Sequence, residues 1–136
     1  MSKNKTLFIR FEAWENFMDR VQTALKARQR SIDRKDTLTF GSVTAYQKFM
    51  TEQKLAILAT IIGQNPKSIY QLAQLVERDF ANVQRDCTAL EAMGFIRLEE
   101  SEDAKGSKIP RLAFDYTRIV VQMPKVTYAH DFGIAA

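Results

Sequence analysis

The residues best suited to chemistry lie in one predicted helix, residues 80–93. Val83, Cys87 and Leu90 recur there at i, i+4 and i+7, so we expect them to form its inward face. The outward face then carries Phe80, Ala81, Gln84, Arg85 and Thr88. Arginine and glutamine can each form two hydrogen bonds to a base edge in the major groove, while phenylalanine or alanine can meet a thymine methyl group. Threonine can bond a phosphate. This pattern favours contact with double-stranded DNA.

A second set of residues could contact the phosphate backbone around that helix. Ser68 and Tyr70 lie at the start of the preceding helix, where backbone amides favour anions, although Ser68 can equally serve only as a cap. The further electrostatic candidates are Lys67, Arg78, Lys105 and Lys108. The alternative interpretation of residues 80–93 is a solvated face, with Arg85 paired to Asp86, Glu77 or Asp79.

Catalytic chemistry has no comparable support in the sequence. The single cysteine, Cys87, falls on the apolar face with no histidine placed near it, which favours a packed thiol over a nucleophile. The single histidine, His130, lies in the tail, where we expect it to be exposed. One cysteine and one histidine cannot form a zinc finger, and neither a glycine-rich phosphate loop nor a paired-carboxylate motif occurs. We therefore expect no catalytic residues, no metal and no cofactor.

Two short helices and a hairpin should position the candidate face. Ser68 and Gln71 form a capping box that opens the first helix. Residues 77–79 make a tight turn in which Asp79 can cap the second helix, and Gly94 supplies the positive φ that ends it. Strands are predicted at residues 95–99, 109–114 and 119–121, with a polar hairpin tip at residues 101–107. A helix pair followed by a hairpin is a winged helix-turn-helix.

The N-terminal part should add a strand and several helices. Leu7, Ile9 and Phe11 recur at the period of a strand, and residues 12–28 have the apolar spacing of an amphipathic helix. A basic run at residues 26–35 is either a solvated helix end or an arm that contacts phosphate. The remaining predictions are a strand at residues 36–40, a short helix capped by Ser42, and a longer helix from Thr51 on which Leu55, Leu58 and Ile62 share a face beside Ile57 and Ile61.

These elements give an α+β fold class, a winged helix-turn-helix with an N-terminal strand-helix extension. The expected division is an extension at residues 1–50, a DNA-binding domain at residues 51–123 and a tail at residues 124–136. The length of 136 residues suits one such domain, and 46% hydrophobic residues suffice for a core. Because no apolar run approaches the roughly 20 residues of a membrane helix, and no signal peptide is recognisable, we expect a soluble, cytoplasmic protein without a membrane partner.

Charge argues for a polyanionic partner only weakly. The formal net charge is +4, but it is unevenly spread: counted from the sequence, residues 1–50 carry +5, residues 51–100 carry −2 and residues 101–136 carry +1. The predicted helix pair therefore lies in the least basic part of the chain. A second hypothesis follows from this, in which the winged helix is a protein-interaction module that binds a partner protein without reading DNA.

A family resemblance covers most of the chain. The run SIYQLAQLVERDFANVQRDCTALEAMGFIRLEE, residues 68–100, resembles the MarR-like winged-helix regulators of the antitoxin type, encoded beside RelE/ParE-type toxins. The segments WENFMDRV, MTEQKLAILATI and IPRLAFDYTRIVV are similar to flanking parts of that family, so the likeness spans residues 7–122. Two features depart from it: the wing EESEDAKGSK has four acids before Lys105, and Cys87 stands where an aliphatic residue is usual.

The resemblance implies a transcriptional regulator that represses its own toxin–antitoxin operon and binds a toxin protein. From the residues themselves we expect a homodimer built partly on residues 7–25, because Trp14 and Phe17 add apolar surface and the preceding strand could pair at its edge. Two copies would place two recognition helices about 34 Å apart, one turn of duplex DNA.

Overall fold

In the computed structural model, the described residues are 5–12, 16, 18–19, 21–23, 36–103 and 106–122. Helical backbone occurs at Asn16, Met18, Asp19 and residues 21–23, within the helix predicted at residues 12–28. The complete elements, in chain order, are β1 (Thr6–Phe11), β2 (Thr37–Phe40), α1 (Val43–Phe49), α2 (Glu52–Gln64), α3 (Ile69–Val76), α4 (Phe80–Met93), β3 (Ile96–Glu100), β4 (Lys108–Leu112) and β5 (Arg118–Val121). The fold is α+β, a winged helix-turn-helix preceded by a strand and a helix, as predicted.

Side-chain caps begin four of the helices where the sequence places Ser, Thr or Asp. Ser42 accepts a hydrogen bond from the backbone N–H of Ala45, and Thr51 caps α2 in the same way. At α3, the Ser68 hydroxyl accepts from the Gln71 amide at 2.9 Å. The reciprocal bond differs from the expected capping box, because the Gln71 side chain accepts from the Lys67 amide at 2.7 Å instead of from Ser68.

The turn and the end of α4 depend on left-handed backbone. Glu77 has a φ of 56° and closes α3, and its amide bonds the carbonyls of Ala73 and Gln74. Gly94 has a φ of 95° after α4. The positive φ favours glycine at this position, and a Cβ built there would lie 3.0 Å from the end of the Leu38 side chain, which would have to shift slightly. The end of α4 therefore lies close to Leu38 on β2.

β1 is the central strand of a three-stranded parallel sheet, in the order β2-β1-β5. Ile9 pairs with Leu38 on one side and with Val121 on the other, and its side chain is fully buried. The expected edge pairing of this strand with a second copy is therefore wrong, because both edges of β1 are occupied within the chain. The same sheet joins the predicted N-terminal extension to β5, which follows the hairpin.

Aromatic packing connects that sheet to the helix pair. The Phe40 ring on β2 lies 5.2 Å from the Tyr46 ring, and the Phe49 ring stacks on the Phe95 ring at 5.8 Å with 11° between their planes. The buried Tyr116 hydroxyl donates to the Phe95 carbonyl at 2.8 Å. The loop before β5, the helix α1 and the start of β3 therefore share one core.

α2 divides its apolar residues between two sides. Ile57, Leu58 and Ile61 are buried in the core, whereas Leu55 and Ile62 are 45% and 37% exposed. Leu55, Leu58 and Ile62 do lie on one side of α2, within about 60° of one another, but only Leu58 reaches the core, because the inward direction of α2 runs through Ile57, Leu58 and Ile61. In the part of the chain that the structure describes, no helix is long and apolar enough to cross a membrane.

Candidate nucleic-acid interface

The predicted register of α4 is confirmed. Val83, Cys87 and Leu90 have no exposed surface, and α4 packs through them on the core. The residues expected on the outward side are all exposed: Phe80, Ala81, Gln84, Arg85 and Thr88. Ala81, Gln84, Arg85 and Thr88 follow one another at i, i+3, i+4 and i+7, so they form a single stripe along α4. We call these four residues the outward stripe.

Arg85 carries an unshared positive charge on this stripe. Its guanidinium Nη1 donates to the Asn82 side-chain oxygen at 3.1 Å, a neutral partner one turn earlier. Asp86, proposed as its partner in the alternative interpretation, instead binds Arg78 at 2.8 Å across the turn. Asp79 caps α4 through the Ala81 amide. Within the described residues no carboxylate pairs with Arg85, so most of its donors point into solvent.

The two acidic residues of α4 are held away from the outward stripe. Asp86 forms its ion pair with Arg78 in a half-buried setting, with 19% of the aspartate side chain and 25% of the arginine side chain exposed. Glu91 accepts a hydrogen bond from the Leu98 amide at 2.8 Å, at the start of the hairpin. The negative net charge of residues 51–100 is therefore not located on the stripe itself.

Polar groups next to the stripe differ in what they can still offer a ligand. The Thr88 hydroxyl donates to the Gln84 carbonyl at 3.0 Å, so it must rotate before it can donate to a phosphate. Ser68 uses its oxygen as an acceptor, which leaves its hydrogen for another partner. Lys67 is exposed. The exposed Tyr70 and Phe80 rings lie 6.5 Å apart, one on α3 and one at the start of α4.

The hairpin β3–β4 forms the wing, and ion pairs occupy its strands. Arg97 and Arg111 face each other across the hairpin, and each donates from Nε to Glu99, at 2.6 and 2.8 Å. The hydrogen bond from Arg111 is the main cause that lowers the pKa of the Glu99 carboxyl. Sequence reasoning missed this triad, although the alternation of Arg97 and Glu99 on one strand face was a usable signal.

The wing offers less positive charge than its lysines suggested. Lys108 lies 3.5 Å from Glu100, so this candidate already has an intramolecular partner. Lys105 lies outside the described residues, as do His130, Trp14 and the basic run 26–35. Glu102 and Asp103 at the tip are exposed. The described part of the tip is therefore acidic, and would repel a phosphate backbone brought close to it.

Cys87 is a core residue in this structure. Burial is the main cause that raises the pKa of its thiol to about 12, and the nearby Asp86 adds to the rise while Arg78 opposes it. The thiolate, which is the reactive form, is therefore negligible at neutral pH. The described residues also contain no cluster of three or more histidine, cysteine or acidic side chains that could hold a metal ion.

Several solved structures are similar to part of this chain. Reduced AbfR bound to DNA matches at 19% identity with a TM-score of 0.45, covering 49% of this chain and 49% of that chain. The transcriptional regulator PA4135 matches at 17% identity and a TM-score of 0.44, with 72% and 57% covered. The transcriptional regulator Tm0710 from Thermotoga maritima matches at 17% and 0.44, with 73% and 61% covered.

The chain thus spans less than two thirds of the length of these structures, and likenesses this distant assign no function. No curated protein matches the chain. The model of one protein family, HVO_A0114, matches residues 49–121, from the end of α1 through β5. That segment contains the whole helix pair and the wing, and it is more than half of the sequence. The chain belongs to the HVO_A0114 family.

Proposed function

We propose that this protein is a sequence-specific DNA-binding transcriptional regulator of the MarR-like winged-helix kind. The observation that carries the proposal is the chemistry of the outward stripe. Gln84, Arg85 and Thr88 are exposed there, while both acids of α4 are bound elsewhere. A recognition helix needs an outward face that combines hydrogen-bonding side chains with positive charge, and this one has both.

Each candidate residue has a distinct role in this proposal. Arg85 binds the O6 and N7 atoms of a guanine, and Gln84 binds the N6 and N7 atoms of an adenine, because these are the geometries in which each side chain makes two hydrogen bonds. Phe80 and Ala81 contact thymine methyl groups. The residues that bind the phosphate backbone are Thr88, Ser68, Lys67, Arg78, Lys105 and Lys108. Arg78 would contact a phosphate while it remains paired with Asp86, so it is a weaker candidate for this contact than the others.

The acidic wing favours a second candidate function. A wing whose described tip residues, Glu102 and Asp103, are exposed acids is poorly suited to follow a phosphate backbone. It is better suited to a basic protein surface. Under this alternative the winged helix binds a partner protein and does not read DNA, and the outward stripe is a solvated face.

The regulatory role that we propose is autorepression by an antitoxin. The sequence resemblance to antitoxin-type MarR-like regulators supports it, and it implies a cytoplasmic homodimer that binds both its own operator and a toxin protein. A dimer would present two copies of α4 to two half-sites about 34 Å apart. The acidic wing would then be one surface available to a basic toxin.

The test is a titration of the duplex upstream of the gene against a scrambled duplex, at two salt concentrations. The variant is Arg85→Ala, and the matched control is Arg118→Ala, which removes an equal charge from an exposed position on β5. Wild type should prefer the upstream duplex. Arg85→Ala should reduce that preference by about 1–3 kcal/mol, and Arg118→Ala should leave it unchanged.

Equal and weak binding to both duplexes, insensitive to Arg85→Ala, would contradict the proposal and leave the protein-interaction function. Loss of binding to both duplexes alike in Arg85→Ala would assign Arg85 to a phosphate instead of a base.

A further inference from the structure

Asn82 holds the guanidinium of Arg85, although Asn82 is not among the residues predicted to contact DNA. It is exposed, three positions before Arg85 on α4, and its side-chain oxygen accepts a hydrogen bond from Arg85 Nη1 at 3.1 Å. An exposed pair of this kind adds little to the stability of the fold. Its effect is on position, because it restrains a long side chain that otherwise samples many rotamers.

This contact directs Arg85 towards the end of α4 that would enter a DNA groove. Helical side chains lean towards the N-terminus of their helix, so a partner three positions earlier holds the guanidinium over the first turn. That turn starts at Phe80, and the Asp79 carboxylate caps it through the Ala81 amide. In a helix-turn-helix, the N-terminal residues of the second helix contact base edges. Asn82 therefore keeps Arg85 at the end of α4 where a base would be read.

The same contact determines which end of the Asn82 amide is available to a ligand. Arginine has donors and no acceptor, so only the amide oxygen can face it. The NH2 group of Asn82 then points away from Arg85, and within the part of the chain that the structure describes it has no hydrogen-bond partner. The two side chains together therefore offer a ligand mainly hydrogen-bond donors.

We propose that Asn82 determines sequence specificity by positioning Arg85 on one guanine and donating its own NH2 group to a neighbouring guanine. This inference rests on the DNA-binding function proposed above. Asparagine typically reads adenine through both amide atoms, with its oxygen accepting from N6. Here Arg85 binds that oxygen, and an adenine N6 group brought beside it would set one donor against another. Guanine instead presents two acceptors, O6 and N7, in the major groove, which match the donors of this pair.

The test compares wild type and Asn82→Ala on chemically altered duplexes. The probes are the duplex upstream of the gene, a scrambled duplex, and the upstream duplex made with 7-deazaguanine or with 7-deazaadenine, which lack the N7 acceptor. Asn82→Ala should reduce the preference for the upstream duplex about two- to tenfold, because Arg85 must then be immobilised on binding. It should also lessen the weakening by 7-deazaguanine. The weakening by 7-deazaadenine should not change, since Gln84 is the residue proposed to bind adenine.

Asn82→Asp separates this role from a structural one. Aspartate has the same shape and suits the first turn of a helix, so urea unfolding should show that the variant is at least as stable as wild type. The new carboxylate pairs with Arg85 and has no NH2 group, so the variant should lose at least as much preference as Arg85→Ala. The matched controls are Gln53→Ala and Gln53→Glu, at an exposed position in the first turn of α2. Both should keep the preference of wild type.

The coupling between the two residues gives a second measurement. In an Arg85→Ala background, Asn82→Ala should cost less preference than it does in wild type, because no guanidinium is left to position. Additive losses would overturn the positioning role.

The remaining outcomes distinguish this inference from the proposed function. If wild type prefers the upstream duplex but Asn82→Ala leaves the effect of 7-deazaguanine unchanged, this inference is overturned and the proposed function stands. A smaller effect of 7-deazaadenine in Asn82→Ala would assign Asn82 to adenine, which also overturns it. A wild type without any preference between the upstream and scrambled duplexes would contradict the proposed function and this inference together.

Discussion

Two arginines near the recognition helix differ in whether they are available for DNA contact, because they have different intramolecular partners. Arg78 and Arg85 are seven positions apart and were both candidates for DNA contact. Arg78 is tied to Asp86 across the turn, whereas among the described residues Arg85 binds only the neutral Asn82. The outward position of Arg85 followed from helical spacing alone. The Arg78–Asp86 pair could not be predicted, because it forms only when the turn brings α3 and α4 together.

The first prediction separates these two roles by stability. Arg78→Ala leaves the half-buried Asp86 carboxylate without its cation, so we expect the free energy of unfolding to fall by about 1–3 kcal/mol. Arg85→Ala removes an exposed side chain with a neutral partner, and should change it by less than about 0.5 kcal/mol. Urea unfolding of the two variants at neutral pH measures both values. Equal losses would mean that Arg85 also has a structural role.

The second prediction concerns pH and Cys87. The folded state raises the pKa of this thiol from 9.0 to about 12, so above pH 9 the unfolded chain loses a proton that the folded chain keeps. Stability from this group is complete below pH 9 and is lost as the pH rises towards 12, at up to about 1.4 kcal/mol per pH unit. Cys87→Val should remove that part of the slope. Burial also raises the pKa of Tyr116. Its contribution to the pH dependence of stability is the same in wild type and in Cys87→Val.

The outcome that would contradict this is an identical pH dependence of urea unfolding in wild type and Cys87→Val between pH 9 and 11. A thiol reagent supplies the control at neutral pH. It should label wild type slowly when folded and quickly in urea, because the folded chain keeps the thiol buried and protonated.

Short-range sequence signals, such as capping residues, determine where the helices begin. The sequence therefore predicted the helices more fully than the sheet. Ser42, Thr51, Ser68 and Asp79 each cap the helix that was predicted to follow them. The sheet was not predictable in the same way. β1 pairs in parallel with β2 and with β5, and the residues of a parallel pair are far apart in sequence, so no short pattern encodes their register. The expectation that the edge of β1 pairs with a second copy was wrong for this reason, since its partners β2 and β5 could not be recognised from the sequence.

The third prediction tests the register of α4. Leu90 is completely buried on its inward face, so Leu90→Ala removes packed methyl groups and should lower the free energy of unfolding by about 2–5 kcal/mol. Gln84→Ala, on the outward stripe, should change it by less than about 0.5 kcal/mol. Denaturant unfolding of both variants provides the measurement. A loss below about 1 kcal/mol for Leu90→Ala would mean that α4 is rotated and that Arg85 does not face outward.

For the whole molecule, the parallel sheet bears on whether the proposed extension, residues 1–50, is separate from the winged helix. β1 and β2 come from that extension, but β5 comes from the other end of the chain and completes the same sheet. Phe40 on β2 also packs on Phe95, which follows α4. The division at residue 50 remains a proposal. These contacts imply that both parts unfold together.

The last prediction tests that cooperativity. Ile9 lies on the central strand and is fully buried, so Ile9→Ala should lower the free energy of unfolding by about 2–5 kcal/mol. If the chain is one cooperative unit, this loss appears equally by two probes. Circular dichroism follows helix content, most of it in the winged helix, and fluorescence follows Trp14, the single tryptophan, in the extension.

The matched control is Arg118→Ala on β5, which should leave both unfolding curves in place. Separate transitions would give a different result for Ile9→Ala: the fluorescence midpoint would fall while the helix signal kept its wild-type midpoint. In that case residues 1–50 would form an independent unit, and a winged helix without them should still fold. Coincident shifts would instead mean that truncating the extension removes the central strand of a shared sheet, so the shortened chain should lose its fold and, with it, the outward stripe.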